Sequence, residues 1–192
     1  YDISVNPQIT DVFSTAGFRF GHSMVSSDIA RLKECGCSIP EGDLSLRDTF
    51  FNPSLICNEG GIDPILRGFL RTESERLDAS VIDDLRNFLF GPPGTGGLDL
   101  VSLNIQRGRD HGLPSLNNVR EHFGLPKIAN FTELTDNPAI VSALESLYPD
   151  GLSNSDLWVC CMVEKRKVGL VGETMLTIIS DQFKRIKTGD RL

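Results

Sequence analysis

Leu103-Asn104-Ile105-Gln106-Arg107-Gly108-Arg109-Asp110-His111-Gly112-Leu113-Pro114 is the most informative stretch of the chain. It crowds Arg107, Arg109 and Asp110 together beside Asn104, Gln106 and His111. Two readings of that density are open. Arg109 and Asp110 can hold a loop through local ion pairs, or the stretch can form a rigid wall of a cofactor pocket.

Upstream lies a second constellation, Phe18-Arg19-Phe20-Gly21-His22-Ser23. His22 is one of three histidines, with His111 and His122. Arg19 and His22 are three residues apart and so share a helix face. Gly17 and Gly21 remove side-chain bulk beside them. A flat cofactor needs such an approach, and a haem iron accepts an imidazole nitrogen as axial ligand. An arginine one turn away suits a haem propionate. Spacing alone equally fits a packed helix with one polar edge.

Together, Arg19-Phe20-Gly21-His22-Ser23 and the twelve residues from Leu103 resemble the animal haem peroxidase family, of the myeloperoxidase and peroxidasin type. Glu59-Gly60-Gly61-Ile62-Asp63-Pro64-Ile65-Leu66-Arg67-Gly68 resembles the family's segment between the two motifs. Ser155-Asp156-Leu157-Trp158-Val159, and Gln182-Phe183 through Gly189-Asp190-Arg191, resemble its later landmarks. The resemblance covers essentially the whole chain.

The resemblance implies a mainly α fold: a haem peroxidase-type helical domain, incomplete. Residues 1–192 would be its C-terminal, proximal-haem part. By motif position His22 is the proximal axial ligand of the iron of a b-type haem. Asn104, carried over as the catalytic residue, accepts a hydrogen bond from the other imidazole nitrogen, which orients the ring and strengthens it as a donor. Arg19 and Arg107, with Asn104, complete the cofactor-binding set near the propionates. In the family the distal histidine and arginine, the acidic residues that esterify haem and the calcium-binding loop lie upstream of the proximal motif. Only 21 residues precede His22, so calcium ligands are not expected in this chain.

The implied activity is reduction of hydrogen peroxide with oxidation of a small donor. The isolated chain is expected to turn over weakly or not at all, because the missing acid–base partner is worth roughly 10²–10⁴ in rate. The alternative is a non-catalytic, peroxidase-like binding or adhesion module. Its mark would be loss of the proximal residues, and His22, Asn104, Arg19 and Arg107 are all present. Expected partners are hydrogen peroxide, a small reducing substrate and an N-terminal part of the domain, since the chain begins at Tyr1 rather than Met. The resemblance also implies a secreted, extracellular location.

Bulk properties agree with a globular chain. Hydrophobic residues make up 40% and charged residues 23% of its 192 residues. A net charge of −7 argues against nucleic acid as a partner, because phosphate contact needs clustered positive charge. No apolar run approaches the ~20 residues of a transmembrane helix.

Apolar spacing predicts helices. Ile9, Val12, Phe13, Ala16 and Phe20 form one stripe. Val81, Ile82, Leu85, Phe88 and Leu89 form a second, with Ser80 as its cap and Gly91-Pro92 as its end. Ser115 opens a third helix that Gly124 and Pro126 stop. Asn137-Pro138 pairs a cap with a first-turn proline. The last stripe is Met175, Leu176, Ile179, Phe183 and Ile186. Cys35 to Asn58 reads as an irregular connection.

Gly91-Pro92-Pro93-Gly94-Thr95-Gly96-Gly97 imitates a phosphate-binding loop. It lacks the lysine and hydroxyl residue such a loop requires, having Gly97 and Leu98 there, and is expected to be a turn. Among five cysteines, neither Cys35/Cys37 nor Cys160/Cys161 has metal-site spacing. Disulfides or buried thiols are both open for them. Cys160-Cys161 replaces two glycines usual in the family, so altered packing or a vicinal disulfide is expected there. Asn130-Phe131-Thr132 is a glycosylation sequon if the chain is secreted.

Overall fold

Helices carry nearly all the regular structure in the computed structural model, which describes residues 1–91 and 97–191. Among the described residues the strands are one short antiparallel pair, Asp28–Ile29 with Leu44–Ser45. No helix is long and apolar enough to cross a membrane among those residues. The chain divides into two compact units.

The first unit comprises Tyr1–Gly21, Leu77–Ala79 and Asn104–Leu192. Phe13, Ala16, Leu116, Val119, Met175 and Ile178 are buried in it. The stripe expected from Ile9 to Phe20 is not one α-helix. The α-helix Asp11–Thr15 stops, and Gly17–Met24 continues as a 3-10 helix. The tighter winding begins where the Arg19 amide bonds the Ala16 carbonyl three residues back, at 3.1 Å. Gly17 is needed there for packing: a Cβ would lie 2.7 Å from the Ile178 Cγ2.

Leu116–His122 and Pro138–Leu147 follow the expected boundaries. Ser115 holds the cap position without a side-chain bond, while the Asn137 side chain accepts from the Ala139 and Ile140 amides. Gly124, at φ +70°, ends the former helix. The Leu125 amide returns to the Arg120 carbonyl at 2.8 Å and the Gly124 amide to Glu121 at 3.0 Å, a Schellman closure.

The last helix, Glu173–Gly189, buries a different face from the one its apolar stripe predicts. Thr174, Met175, Ile178 and Gln182 face inward, while Leu176 and Phe183 are exposed. Gln182 holds an inner position through its amide. Its Oε1 accepts from the Thr10 amide at 2.9 Å, and its Nε2 donates to the Gln8 carbonyl at 3.0 Å. Arg120, 2% exposed, anchors this part of the core. Its guanidinium donates to Glu164 Oε1 (2.8 Å), Thr174 Oγ1 (2.9 Å), Glu173 Oε2 (2.8 Å) and the Pro126 carbonyl (2.7 Å). Burial raises the Glu164 carboxyl above its ordinary value, against the opposing bonds from Thr174 and the charge of Arg120.

The second unit comprises His22–Arg76 and Ser80–Leu103. The connection from Cys35 to Asn58 is more regular than expected: it contains one strand and the helices Leu46–Thr49 and Ser54–Asn58. Arg31, 1% exposed, organises it. Its guanidinium donates to the carbonyls of Gly42 (2.6 Å), Glu41 (3.1 Å) and Glu59 (3.1 Å), so one side chain satisfies a run of loop backbone. Helix Asp63–Arg71 packs so closely on the chain just after the strand Asp28–Ile29 that a Cβ on Gly68 would collide with the Ala30 carbonyl.

The helix expected at Ser80–Gly91 shrinks to Asp83–Arg86. Ile82, not Ser80, stands at its cap. Arg47 holds Asp84 with two bonds, at 3.0 and 3.2 Å, and Leu89 leaves the helix to pair with Leu98 as an antiparallel bridge. The interior of the glycine–proline stretch between Gly91 and Gly97 lies outside the described residues.

Cys35 and Cys37 form a disulfide. Cys57 is an exposed thiol, and Cys160 and Cys161 are buried thiols rather than a vicinal disulfide. Burial pushes the Cys160 thiol up to about 11 and the Cys161 thiol well above its ordinary value. Both therefore act as small apolar core groups.

Candidate functional site

Helix Leu100–Asp110 carries the motif residues Asn104 and Arg107. Asn104 is fully buried and Arg107 is exposed. Arg19 comes from the 3-10 segment Gly17–Met24. Its Nη1 donates to Asn104 Oδ1 at 2.7 Å, and its Nε donates to the Ser14 carbonyl at 3.2 Å. An 85-residue separation is thus closed by one side-chain bond. Burial, then the charge of Arg107, holds the Arg19 guanidinium below its ordinary value. Among the described residues no carboxylate lies within ion-pair distance of Arg19 or Arg107. Two cations without a carboxylate partner among the described residues suit a ligand that brings its own carboxylates.

A cleft of about 430 Å³ adjoins this arrangement, lined by Asn104, Arg109, Tyr148, Asp156 and Trp158 among others. Trp158 donates its indole N–H to the Arg19 carbonyl at 3.4 Å. Arg109 grips Asp156 with two bonds, 3.0 and 2.8 Å, and Tyr148 donates its hydroxyl to the same carboxylate at 2.8 Å. Burial raises the Asp156 carboxyl, but the bonds from Arg109 and Tyr148 outweigh it and hold the group below its ordinary value. Burial and the neighbouring Asp156 push the Tyr148 hydroxyl up.

The local pair considered for Arg109 and Asp110 is therefore absent: Arg109 reaches Asp156, and Asp110 accepts from Gln106 Nε2 at 2.7 Å. Asp156 lies in one of the landmark stretches, but sequence assigned no role to it or to Tyr148. Their partnership with Arg109 spans 47 residues in the case of Asp156, and no local spacing announces it.

His22 is half-buried and lies on the 3-10 segment, in the second unit. His111 is exposed, with Nδ1 3.3 Å from Asp11 Oδ1. His122 is exposed and meets the ring of Phe123 edge-on. A Cβ on Gly21 would meet nothing within 4 Å, unlike one on Gly17.

A mainly helical chain with this arginine–asparagine arrangement matches the family model for animal haem peroxidase over residues 1–192. The chain belongs to the animal haem peroxidase family. Peroxinectin A of Dictyostelium discoideum is 40% identical over the whole chain, which spans 35% of that relative. Mouse thyroid peroxidase is 39% identical, again over the whole chain, which spans 22% of it. The structure of peroxidase A from Dictyostelium discoideum superposes with a TM-score of 0.91 at 39% identity, covering all of this chain and 37% of that one. A fatty acid alpha-dioxygenase from Arabidopsis thaliana shares the fold, with a TM-score of 0.77 at 21% identity. The chain thus spans about a third or less of the relatives it matches.

Proposed function

We propose that this chain supplies the proximal haem side of a hydrogen-peroxide-dependent oxidoreductase, as the C-terminal part of one peroxidase domain. The observation that carries the reading is the 2.7 Å bond from Arg19 to Asn104, which joins the two motif stretches, with no ion pair to Arg19 or Arg107 among the described residues. Haem carries two carboxylates, and guanidinium groups bind carboxylates strongly and directionally.

His22 is assigned as the axial ligand by motif position. Asn104 is assigned to hold the imidazole: an amide oxygen has two lone pairs and can accept from Arg19 and from a second donor at once. Arg19 would then serve twice, orienting Asn104 and facing a propionate. Bound haem would supply the redox-active iron that reduces peroxide and oxidises a small donor. The residues of this chain bind it, orient its ligand and neutralise its carboxylates. Secretion and the b-type haem are part of the same proposal, which rests for them on family membership.

The test is a haemin titration followed in the Soret region, on the chain and on His22→Ala. A saturable, histidine-ligated complex that the variant loses supports the assignment. Equal, weak binding by both proteins would overturn His22 as ligand in this chain.

A further inference from the structure

Cys35 and Cys37 close a disulfide around a single residue, Gly36. Both cysteines are exposed. The turn is already held by its backbone: the Lys33 amide donates to the Cys37 carbonyl at 2.8 Å, and the Gly36 amide to the Lys33 carbonyl at 2.9 Å. Leu32 and Ser38 form an antiparallel bridge at its base. The chain entropy a disulfide removes from the unfolded state grows with the loop it closes, so a one-residue loop adds little to the fold. This cross-link is therefore poorly explained as a staple.

Its surroundings point to chemistry. Gly36 sits at φ +78°, and a Cβ there would lie 2.6 Å from Arg71 Nη1. The guanidinium of Arg71 thus rests against the middle of the turn, in the space that glycine leaves open. Lys33 adds a second positive charge within the turn. Glu34 opposes them, but Arg67 faces it at 3.7 Å. Positive charge beside an accessible cysteine favours the thiolate, the species that leaves and attacks in disulfide exchange.

We propose that Cys35–Cys37 is a thiol–disulfide exchange site for small thiols of the glutathione class. A thiolate of the small thiol attacks one of the two Sγ atoms. A mixed disulfide forms, the Cys35–Cys37 bond breaks, and the displaced cysteine leaves as a thiolate that takes up a proton. A second small thiol attacks the mixed disulfide, releases the oxidised dimer and leaves both cysteines as thiols. Two electrons pass from two small thiols to the protein disulfide, and oxidised dimer reverses the sequence. Arg71 is a positioning residue that steadies the departing thiolate. This activity is independent of haem.

The full chain would be equilibrated with mixtures of reduced and oxidised glutathione, quenched with acid, alkylated and peptide-mapped. Mapping separates Cys35 and Cys37 from Cys57, Cys160 and Cys161. We expect the oxidised fraction to fall smoothly as the glutathione mixture becomes more reducing, with both forms present across it. We also expect Cys35→Ser/Cys37→Ser to unfold at an unchanged denaturant concentration. A bond that survives excess reduced glutathione and yields only to a strong dithiol overturns the proposal, as does a pair that stays reduced in oxidised glutathione. Arg71→Met should slow alkylation of the reduced pair at neutral pH roughly fivefold, with Arg71→Lys restoring most of the rate. An unchanged rate in Arg71→Met removes Arg71 from the site.

Discussion

At the scale of single residues, the carboxylates of this chain divide by the sign of their response to pH. Asp156 is held below its ordinary value of 3.8 by Arg109 and Tyr148 despite burial. Its ionised form is favoured by folding, so it contributes stability above the ordinary carboxylate range and loses it as pH falls through the lower, folded value. Arg109 is 59% exposed, so solvent screens the pair, and Asp156→Asn is expected to cost about 1 kcal/mol at neutral pH. Urea unfolding at neutral pH and near pH 3 checks this: the gap between the variant and the parent should close in acid. Glu164 runs the other way. Burial raises it, so folding favours its neutral form, and that contribution is lost as pH rises through its folded value. Arg120 offsets the cost of the ionised form. Arg120→Met should therefore destabilise the chain by about 3–5 kcal/mol at neutral pH, because it strands a buried charge. A loss below about 1 kcal/mol would mean that water reaches Glu164 and replaces the arginine.

Among the elements, two glycines that look alike in sequence separate by what surrounds them. Gly68 leaves no space for a Cβ against the Ala30 carbonyl. Gly68→Ala must move backbone and is expected to cost about 1–3 kcal/mol or more by chemical denaturation. Gly21 has open space at the same position. Gly21→Ala should change the stability of the haem-free chain by less than about 1 kcal/mol yet weaken haemin binding, if that space admits the cofactor. Unaltered haemin affinity would show that it does not. The same contrast explains what the sequence made legible. Helices with local start and stop signals, Asn137-Pro138 and Gly124 among them, lie where spacing predicts. The helix after Ser80 does not, because Arg47, from a distant segment, and the bridge from Leu89 to Leu98 decide its length. The inner face of Glu173–Gly189 was misplaced because Gln182 reads as polar, and only the fold shows the backbone groups it satisfies. Of the candidate site, motif resemblance singled out Arg19, Asn104 and Arg107, and the fold joins the first two by a side-chain bond. The roles of Tyr148 and Asp156 were not legible, since the bonds from Arg109 and Tyr148 to Asp156 form only in the fold.

For the molecule as a whole, exposed apolar side chains are numerous. In the first unit Phe18 is 54% and Phe183 50% exposed, and their rings lie 6.1 Å apart as part of a cluster with Phe13. In the second, Phe51, Phe69 and Leu70 are largely exposed. Contiguous aromatic surface of this kind drives association. The isolated chain is expected to self-associate with rising concentration in sedimentation velocity, and Phe18→Ser/Phe183→Ser to weaken that association. Monodisperse monomer at high concentration would show that these rings tolerate water.

Trp158, the sole tryptophan of the chain, is buried, lines the cleft beside Asn104 and bonds the main chain of Arg19. The molecule therefore carries its own fluorophore at the proposed cofactor wall. Haem absorbs where indole emits, so arrival of the cofactor should darken that emission by energy transfer without any attached dye. Occupancy could then be followed in real time by a single intrinsic signal, free of the background that several tryptophans would add.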